Sequence, residues 1–543
     1  MKMKLSAFKP ARLNSCRLSA FLSEGIALRV ILLFTFAFIF IFHTYPLGLS
    51  DFWWHMNAGR WIWANGGLPI EDPFLYSSVS QMDVRATQIL RGYPLFQLLV
   101  FGAYSLAGAY ALVVIKGLLM TLFYALMWNH LRRNGLHALL ALAIVGALPL
   151  LLFRFDDFRP QIFTFIFVLL ELQLIEHVLS NERHGGVTTW PALLTLPLIM
   201  LLWANLHGGF IIGVAILLIY VLAEWIARRR GISALSDEAY RRLLTASLFS
   251  VGAAALNPAG FGALWSIFTV TSGPFSTVVD EFLGTIQYFE MYGRKHLGYL
   301  IVATAAIPGI ALLSKWRQIS LSHLLLLMAF LLAGILSFRF SLLMVAVVLV
   351  IASAYLSKEL NLWLARLGGI PIIILWCASA FFLASSAINR TSFSKAPLEA
   401  VIYPTAAIDY LEQSKPQGNI FNLFEYGGYM GWKLYPKKIF IDQRNLSWDT
   451  FQEYVQCWRG DYSGVFRKYG IGVVLYTVSE GKPRKVSSLI AGLFNSTQWE
   501  VGFYDRRNIV FFYRELNKQL PFLDKQKVVN DIIQGLDSQV KGR

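Results

Sequence analysis

The sequence predicts an α-helical polytopic membrane protein of about eleven transmembrane helices, followed by an extracytoplasmic α/β domain. Three observations predict this class. Of the 543 residues, 56% are apolar and 15% are charged. Several apolar runs reach the roughly 20 residues that a bilayer-crossing helix needs. Lysines and arginines lie in short clusters between these runs, as they do in cytoplasmic turns of membrane proteins. The net charge of +16 therefore indicates membrane topology, and no nucleic-acid partner is predicted.

The basic clusters set the predicted path of the chain. Basic residues precede a first apolar run that is too long for a signal-peptide core, so we predict an uncleaved anchor with a cytoplasmic N-terminus. Later clusters, such as Arg132-Arg133 and Arg228-Arg229-Arg230, mark cytoplasmic turns. The spans predicted from them are 27–47, 110–130, 137–153, 160–179, 190–205, 210–227, 243–257, 297–314, 319–337, 340–356 and 369–387.

The apolar segment 92–108 needs a separate explanation. A span there would move Arg132 and Arg133 to the outer side of the membrane. We therefore predict a helix that lies in the outer membrane interface. It ends a first external loop of residues 48–108, within a predicted membrane domain of residues 1–388.

The character of the sequence changes after residue 388, because charged residues become more frequent and apolar runs shorten. Residue spacing predicts strands, helices and a hairpin, and Gly427-Gly428 is typical of a tight turn between strands. The predicted helices are 404–412, 466–469 and 522–540, the strands 419–424, 438–442 and 472–476, and the hairpin 499–513. Residues 389–543 should form an α/β domain, which an odd number of spans places outside the cytoplasm.

The sequence contains no signature of a nucleotide site. Neither the phosphate-binding loop pattern nor the dinucleotide-binding glycine pattern occurs. Cysteines and histidines show no zinc-type spacing either. No nucleotide cofactor is predicted, and ATP-driven transport is disfavoured.

The most informative polar segment is Asp51-Phe-Trp-Trp-His55, which directly follows the first predicted span. Polar residues at the mouth of a membrane helix indicate a functional site. An interfacial aromatic belt is the alternative, and it would account for the tryptophans at 53, 54, 61 and 63. The belt does not require Asp51 or His55, so both interpretations stay open for this segment alone.

The predicted topology places further polar groups on the same outer face. They are the pair Asp156-Asp157 with Arg159, then His207, the Asp280-Glu281 pair and Arg339. Each group alone has a structural explanation, such as an ion pair at a helix end, a hydrogen-bonded histidine or an arginine at the interface. Acids, histidines and arginines gathered on one face favour catalysis or ligand binding there.

These segments together resemble the GT-C superfamily of membrane glycosyltransferases, which use lipid-phosphate sugar donors. The superfamily includes protein O-mannosyltransferases, aminoarabinose transferases of lipid A and oligosaccharyltransferases, and the chain looks most like a bacterial subgroup related to them. The similar segments are Asp51 to Phe74, Arg159-Pro160-Gln161, Trp203 to Gly209, Asn257-Pro258 and Gly427 to Arg444. The resemblance implies a membrane domain of GT-C type.

The resemblance also implies roles for residues. In GT-C enzymes an acid in the first external loop acts as the base or binds the catalytic metal, and Asp51 occupies that place. A second acid lies in the next external loop, where Asp156 and Asp157 are the candidates. Arginines near the outer surface hold the lipid phosphate. The expected substrate-binding residues are Trp54, His55, Arg60, Arg159, His207 and Arg339.

A divalent cation is the expected cofactor, because Asp51 with Asp156 could hold Mg²⁺ or Mn²⁺ through carboxylate oxygens. Two positions depart from the superfamily pattern. The mannosyltransferases carry an Asp-Glu pair in the first loop, whereas Phe52 follows Asp51 here, and their Pro-Pro-Leu segment is reduced to Tyr93-Pro94-Leu95. These departures leave a changed acceptor and a loss of catalysis as alternatives.

The predicted function is an inverting glycosyltransferase that moves a sugar from a polyprenyl-phosphate donor to an acceptor on the extracytoplasmic face. Its expected partners are membrane lipid, the lipid-linked donor and an acceptor whose chemistry the sequence does not identify. One alternative is a transporter or flippase for a lipid-linked sugar, in which the acids would couple transport. Another is a non-catalytic scaffold of envelope polysaccharide assembly. The predicted location is a bacterial inner membrane, with the C-terminal domain periplasmic or extracellular.

Overall fold

The computed structural model describes most of the chain. It covers residues 25–48, 51–78, 83–152, 158–183, 190–233, 235–265, 279–367, 403–444, 446–479 and 486–541, together with residues 374, 377, 378, 381 and 385. The predicted domain boundary at 388/389 and most of the predicted span 369–387 lie outside these residues, so both stay predictions.

The described part of the membrane domain is almost entirely helical. Its helices are α1 (Ile26–Phe42), α2 (Asp51–Asn65), α3 (Val84–Arg91), α4 (Pro94–Arg133), α5 (Ala138–Leu151), α6 (Gln161–Arg183), α7 (Trp190–Leu206), α8 (Phe210–Arg229), α9 (Asp237–Ala254), α10 (Thr285–Met291), α11 (Lys295–Ala311), α12 (Leu321–Leu336) and α13 (Ser341–Leu367). Each predicted span other than 369–387 coincides with one of these helices.

Length and composition decide which described helices could cross a bilayer alone. Five segments are long and apolar enough, namely Val84–Arg133, Gln161–Asn181, Phe210–Arg229, Lys295–Lys315 and Phe338–Arg366. Four apolar helices are shorter, within α1, α5, α7 and α12. The structure therefore supports a multi-pass membrane protein with a helical membrane domain, and the count of eleven spans stays a prediction.

Burial separates central from peripheral helices. Most of α6 and most of the span within α13 are buried inside the protein, whereas most residues of α8 and α11 are exposed or only partly buried. Exposed apolar faces of this length suit contact with lipid. Helix α7 packs against α9, and α11 and α12 pack against α13. The bundle thus has α6 and α13 at its centre.

Helix α4 is broken in the middle, at Ala107 and Gly108. Gly108 has φ 62° and ψ −155°, a conformation that glycine adopts at no steric cost. The break separates residues 94–106 from the longer part that follows, which matches the predicted end of the interfacial segment. Its depth in the membrane remains a prediction.

The described part of the C-terminal domain contains a four-stranded sheet covered by helices. The strands are β1 (Asn419–Asn422), β2 (Ile471–Thr477), β3 (Trp499–Tyr504) and β4 (Asn508–Tyr513), in the order β1-β2-β4-β3. Strand β2 is parallel to β1 and antiparallel to β4, and β3–β4 is the predicted hairpin. The helices are α14 (Thr405–Ser414), α15 (Gly427–Lys433), α16 (Trp448–Trp458), α17 (Ser463–Lys468), α18 (Ser488–Asn495) and α19 (Lys525–Lys541).

Two local predictions for this domain were wrong. Gly427-Gly428 begins helix α15 and does not form a turn between strands. The glycine is needed for close packing, because a Cβ at Gly427 would lie 2.2 Å from the carbonyl oxygen of Ile441. Segment 438–442 is not a strand of the sheet either. It pairs instead through Ile439 with Leu75 of the first external loop.

A buried ion triad joins the first external loop to the C-terminal domain. The Arg444 guanidinium donates to both carboxylate oxygens of Asp72, at 3.0 and 3.2 Å, and to Asp442 at 2.8 Å. The side chains are 1%, 0% and 3% exposed, respectively. Burial alone would lower the pKa of Arg444, but the two carboxylates raise it above the usual value. The arginine therefore stays charged.

We expect Arg444→Leu to destabilise this junction strongly, because it leaves two carboxylates buried without a counter-charge. Breaking one side of a buried ion pair costs about 3–5 kcal/mol. The free energy of unfolding of the C-terminal domain, followed by tryptophan fluorescence in urea and detergent, should fall by that order. The triple variant Arg444→Leu/Asp72→Asn/Asp442→Asn should recover part of the loss. Lys468→Ala, which removes the exposed partner of the partly exposed Glu453, is the matched control with little effect, and an equal loss in the Arg444→Leu and Lys468→Ala variants would contradict the prediction.

Candidate active site

A cavity of about 790 Å³ lies between one end of the membrane helices and the C-terminal domain. Its walls come from α2 and α3, from the N-terminal end of α6, from the α7–α8 connection and from the segments around 279–292 and 339–343. The C-terminal domain closes one side, with Phe424, Glu425, Gln443, Arg444 and Tyr454. The membrane domain and the C-terminal domain therefore both contribute residues to the wall of the cavity.

Helix α2 carries the first set of cavity residues. Asp51 stands in its first turn, where a negative charge interacts favourably with the helix dipole. Trp54 and His55 follow on the cavity wall. The helix lies very close to α4 because residue 59 is glycine: a Cβ there would be 2.1 Å from the carbonyl oxygen of Gln97.

The tryptophans of α2 do not share one environment. Trp53 is 1% exposed and packs edge-on against Tyr403 and Tyr429 of the C-terminal domain. Trp63, by contrast, is 75% exposed. An interfacial belt therefore does not explain Trp53, whose ring holds α2 against the C-terminal domain.

Four charged side chains form a continuous chain of ion pairs at one end of the cavity. Arg159 Nη2 lies 2.8 Å from Asp51 Oδ2, and its Nη1 donates to Glu281 Oε1. The other oxygen of Glu281 accepts from Arg339, from Nη2 at 2.8 Å and from Nε at 3.2 Å. The order along the chain is Asp51, Arg159, Glu281, Arg339. Each acid thus contacts an arginine, and Glu281 bridges two.

The surroundings shift the pKa values of the two acids in opposite directions. Burial raises the pKa of Asp51 above its usual value, although Arg159 acts to lower it. Burial would also raise the pKa of Glu281, but Arg159 and Arg339 together lower it to about 2. Glu281 is therefore ionised at any physiological pH, and Asp51 is the better proton acceptor of the two.

Two histidines form a neutral part of the cavity wall. Burial, with a contribution from Arg339, lowers the pKa of His207 to about 3, and burial holds the pKa of His55 well below its usual value. Nδ1 of His207 accepts from the backbone N–H of Gly209 at 3.1 Å and lies 2.7 Å from the hydroxyl of Thr164. These contacts make Nε2 the protonated nitrogen of His207. Both rings are therefore uncharged at neutral pH.

Six of the predicted catalytic and substrate-binding residues line this one cavity. They are Asp51, Trp54, His55, Arg159, His207 and Arg339. Asp156 and Asp157 lie outside the described residues. Arg60 is not among the lining residues, and its predicted substrate contact stays a prediction.

Arg60 instead binds the C-terminal domain. Its guanidinium donates to the carbonyl oxygens of Trp432 and Gly431, at 3.2 and 3.4 Å. It also stacks over the rings of Trp432 and Tyr435, 4.2 Å from each centroid. These contacts tie helix α2 to α15.

Glu281 is the main cavity residue that was missing from the predicted site. The sequence placed Asp280-Glu281 on the outer face but gave no reason to single out Glu281. Its arginine partners are 122 and 58 residues away in the chain, so no local spacing reveals the contact.

The described residues do not complete a metal site by themselves. No group of three or more His, Cys, Asp or Glu side chains suited to a metal ion occurs among them. Asp51 and Glu281, the two acids of the ion-pair chain, are both bound by arginine. The predicted cation therefore depends on Asp156, and it stays a prediction.

The protein has the fold of a solved archaeal oligosaccharyltransferase, which agrees at the level of the fold with the resemblance noted in the sequence. The support comes from solved structures, since no family model and no curated protein sequence matches the chain. The oligosaccharyltransferase of Archaeoglobus fulgidus, in complex with Zn and sulfate, matches with a TM-score of 0.55 and 13% identity over 83% of this chain and 68% of that chain.

The same archaeal enzyme, AglB, in complex with an inhibitory peptide and a dolichol-phosphate, matches with a TM-score of 0.53 and 12% identity over 84% of this chain and 70% of that chain. ArnT from Cupriavidus metallidurans, bound to undecaprenyl phosphate, covers 89% of this chain and 96% of itself at 12% identity. Its TM-score of 0.42 is too low to support a shared fold by itself.

Thr164 should be important for the shape of the cavity wall. Its hydroxyl accepts from Trp203 Nε1 at 2.9 Å and contacts His207 Nδ1. Thr164→Val removes the acceptor of the buried Trp203 N–H, which costs about 1–3 kcal/mol, while Nδ1 of His207 keeps its hydrogen bond from Gly209. We expect a lower thermal unfolding midpoint in detergent. Thr164→Ser, which keeps the hydroxyl, should stay close to wild type, and equal midpoints for the two variants would argue against the role of the hydrogen bonds.

Proposed function

We propose that this protein is a glycosyltransferase that transfers a sugar from a polyprenyl-phosphate donor to a hydroxyl acceptor on the extracytoplasmic face of a bacterial inner membrane. One observation carries the proposal. A carboxylate with a raised pKa and a pair of arginines lie together in a cavity at one end of the membrane helices. These are the groups that base catalysis and phosphate binding need.

The cavity chemistry suits a lipid-linked phosphate. Phe165, Ile211, Ile212 and Leu343 give its membrane side an apolar lining, which suits a prenyl chain. Arg159 and Arg339 supply the positive charge that a phosphate requires. The solved complex of AglB with a dolichol-phosphate has the same fold, and this supports a lipid-phosphate donor for the present chain.

The proposed reaction is a single displacement with inversion at the sugar. The acceptor oxygen attacks the anomeric carbon, its proton passes to Asp51, and the bond between that carbon and the phosphate oxygen breaks. The electron pair of the broken bond goes to the phosphate, which leaves on the prenyl chain. Because a free hydroxyl ionises far above pH 7, Asp51 must take the proton as the attack proceeds.

The contact of Asp51 with Arg159 fits this role. Arg159 holds one carboxylate oxygen, Oδ2, which leaves Oδ1 to accept the proton. Arg159 also faces the position proposed for the leaving phosphate. One side chain thus orients the base and stabilises the leaving group.

A divalent cation remains part of the proposal through Asp51 and Asp156. Mg²⁺ or Mn²⁺ would be held by their carboxylate oxygens and would add positive charge for the leaving phosphate. Arg159 and Arg339 can bind the leaving phosphate without the cation.

We expect Asp51→Asn to reduce sugar transfer by about 10²- to 10⁴-fold, the usual contribution of a general base. For the wild type, kcat/KM should fall as the pH drops through the pKa of Asp51, which lies above the usual 3.8, because only the ionised carboxylate accepts a proton. The measurement is the appearance of glycosylated acceptor from a polyprenyl-phosphate sugar by purified protein.

Glu290→Gln is a matched control for this variant, since Glu290 is exposed on α10 and pairs with Lys295. It should retain full activity. Turnover by Asp51→Asn equal to that of wild type would exclude Asp51 as the base. Detection of a covalently transferred sugar also separates an enzyme from a transporter or a scaffold.

We expect Arg339→Ala to raise the apparent KM for the donor by about tenfold or more, because charge-assisted hydrogen bonds contribute about 1.5–3 kcal/mol. The control is Arg317→Ala, which removes an exposed arginine between α11 and α12. The measurement is initial rate against donor concentration at saturating acceptor. An unchanged KM would count against a phosphate contact by Arg339.

A further inference from the structure

The arginines assigned to the donor phosphate are already bridged by an acid of the same chain. Glu281 offers one carboxylate oxygen to Arg159 Nη1 and the other to Arg339 Nη2 and Nε. A phosphate would present its oxygens to the same guanidinium donors. The carboxylate therefore stands where the phosphate of the proposed donor has to bind.

We propose that Glu281 is an internal occupant of the donor-phosphate site, displaced when the lipid phosphate binds and returning when it leaves. This inference rests on the proposed function, because it assumes that Arg159 and Arg339 bind the phosphate. It adds a residue that controls access to the site. In that role Glu281 is a gating residue that does not take part in the chemical step.

The charges support an exchange of one anion for another. Glu281 is held ionised beside the two arginines, so a single negative charge fills the site before the donor arrives. A sugar linked through a phosphate to a prenyl chain is a phosphodiester, and it also carries one negative charge. Replacing the carboxylate by this group leaves the charge of the Asp51–Arg159–Arg339 surroundings unchanged. Both arginines, whose side chains are 19% and 39% exposed, therefore keep an anionic partner throughout the exchange.

The backbone around Glu281 allows its side chain to move alone. The carbonyl oxygen of Glu281 accepts from Ser337 Oγ at 3.0 Å, and the Leu283 carbonyl accepts from the N–H of Phe338 at 2.8 Å. These bonds fix the segment to the start of α13 without using the Glu281 carboxylate. The side-chain exposure of 22% leaves it access to the cavity. Rotation of the side chain is therefore enough to vacate the arginines.

The bridge also connects the donor site to the base. Arg159 binds Glu281 with one nitrogen and Asp51 with the other. A phosphate that replaces Glu281 keeps Arg159 in the same position, so Asp51 stays oriented. The return of Glu281 would then assist release of the prenyl phosphate product by competing for the same guanidinium groups.

The test is equilibrium binding of farnesyl phosphate and of inorganic phosphate to purified protein in detergent, by calorimetry. Glu281→Gln keeps the shape of the side chain but removes the charge that competes for the arginines. We expect this variant to bind both probes about tenfold more tightly than wild type, since the competing charge-assisted bonds are lost. Farnesyl phosphate should bind more tightly than inorganic phosphate in every variant if the site takes a lipid headgroup, and equal affinities would indicate a free phosphate ligand.

Three further variants complete the experiment. Glu281→Asp, which keeps a carboxylate, should restore affinities close to wild type, and Glu290→Gln should not change them. Glu281→Ala gives a second measurement of the charge loss if Glu281→Gln does not fold. Unchanged or weaker phosphate binding by both Glu281→Gln and Glu281→Ala would overturn the proposal, because the loss of a carboxylate that competes for the arginines has to strengthen the binding of the anion it competes with.

The outcome is distinguishable from failure of the proposed function, since the binding assay needs no sugar transfer. Tighter phosphate binding by Glu281→Gln in a protein that never transfers sugar would support the gating role and reject the glycosyltransferase. Sugar transfer by the wild type with no gain in phosphate affinity in Glu281→Gln would reject the gating role alone.

Discussion

The cavity depends on the buried ion triad of Asp72, Arg444 and Asp442. The first external loop and the C-terminal domain each supply one wall of the cavity, and neither would hold its position without the other. An arginine bound by two carboxylates at almost zero exposure fixes the two parts in one arrangement, because any separation would leave buried charges unpaired. Hydrogen bonds from Asn57 to Gly428 at 3.1 Å and from Tyr76 to Ile420 at 2.9 Å extend the same junction.

This junction explains why one short segment serves both structure and the candidate site. Within helix α2, Trp53, Asn57 and Arg60 face the C-terminal domain, while Asp51, Trp54 and His55 face the cavity. Residues three or four apart share a helix face, so the two sets fall on different sides of α2. The position of Asp51 is consequently set by contacts that do not involve Asp51 itself.

The sequence predicted the helices well and the contacts between distant segments poorly. Every predicted span other than 369–387 coincides with a helix of the structure. Apolar runs and basic clusters suffice for this, because a bilayer requires long apolar segments whatever the tertiary packing. The two glycines at 427 and 428 misled the prediction, since a glycine required for close helix packing looks the same in sequence as a glycine required for a turn. Segment 438–442 was predicted as a strand of the domain, but Ile439 pairs instead with Leu75 of the first external loop, a distant contact that no local spacing reveals.

The same limit applies to the candidate site. Its outer-face acids, histidines and arginines could be recognised singly, and the topology placed them on one side. The bridging position of Glu281 could not be predicted, because it results from how α6, α13 and the segment around 280 pack together. The roles of Asp156 and Asp157 rest on the sequence alone.

The arrangement of charge in the cavity has a consequence for the donor proposed above. Arg159 and Arg339 each have an acidic partner, while His55 and His207 are kept neutral by burial and by nearby arginines. The cavity wall therefore combines charged groups with uncharged groups that can donate hydrogen bonds, for instance Nε2 of His207. A sugar phosphate has the same combination, with an anionic phosphate joined to a neutral ring of hydroxyl groups. Protonated histidines would remove the uncharged groups from the wall, so the low pKa of His207 is part of what suits this cavity to such a ligand.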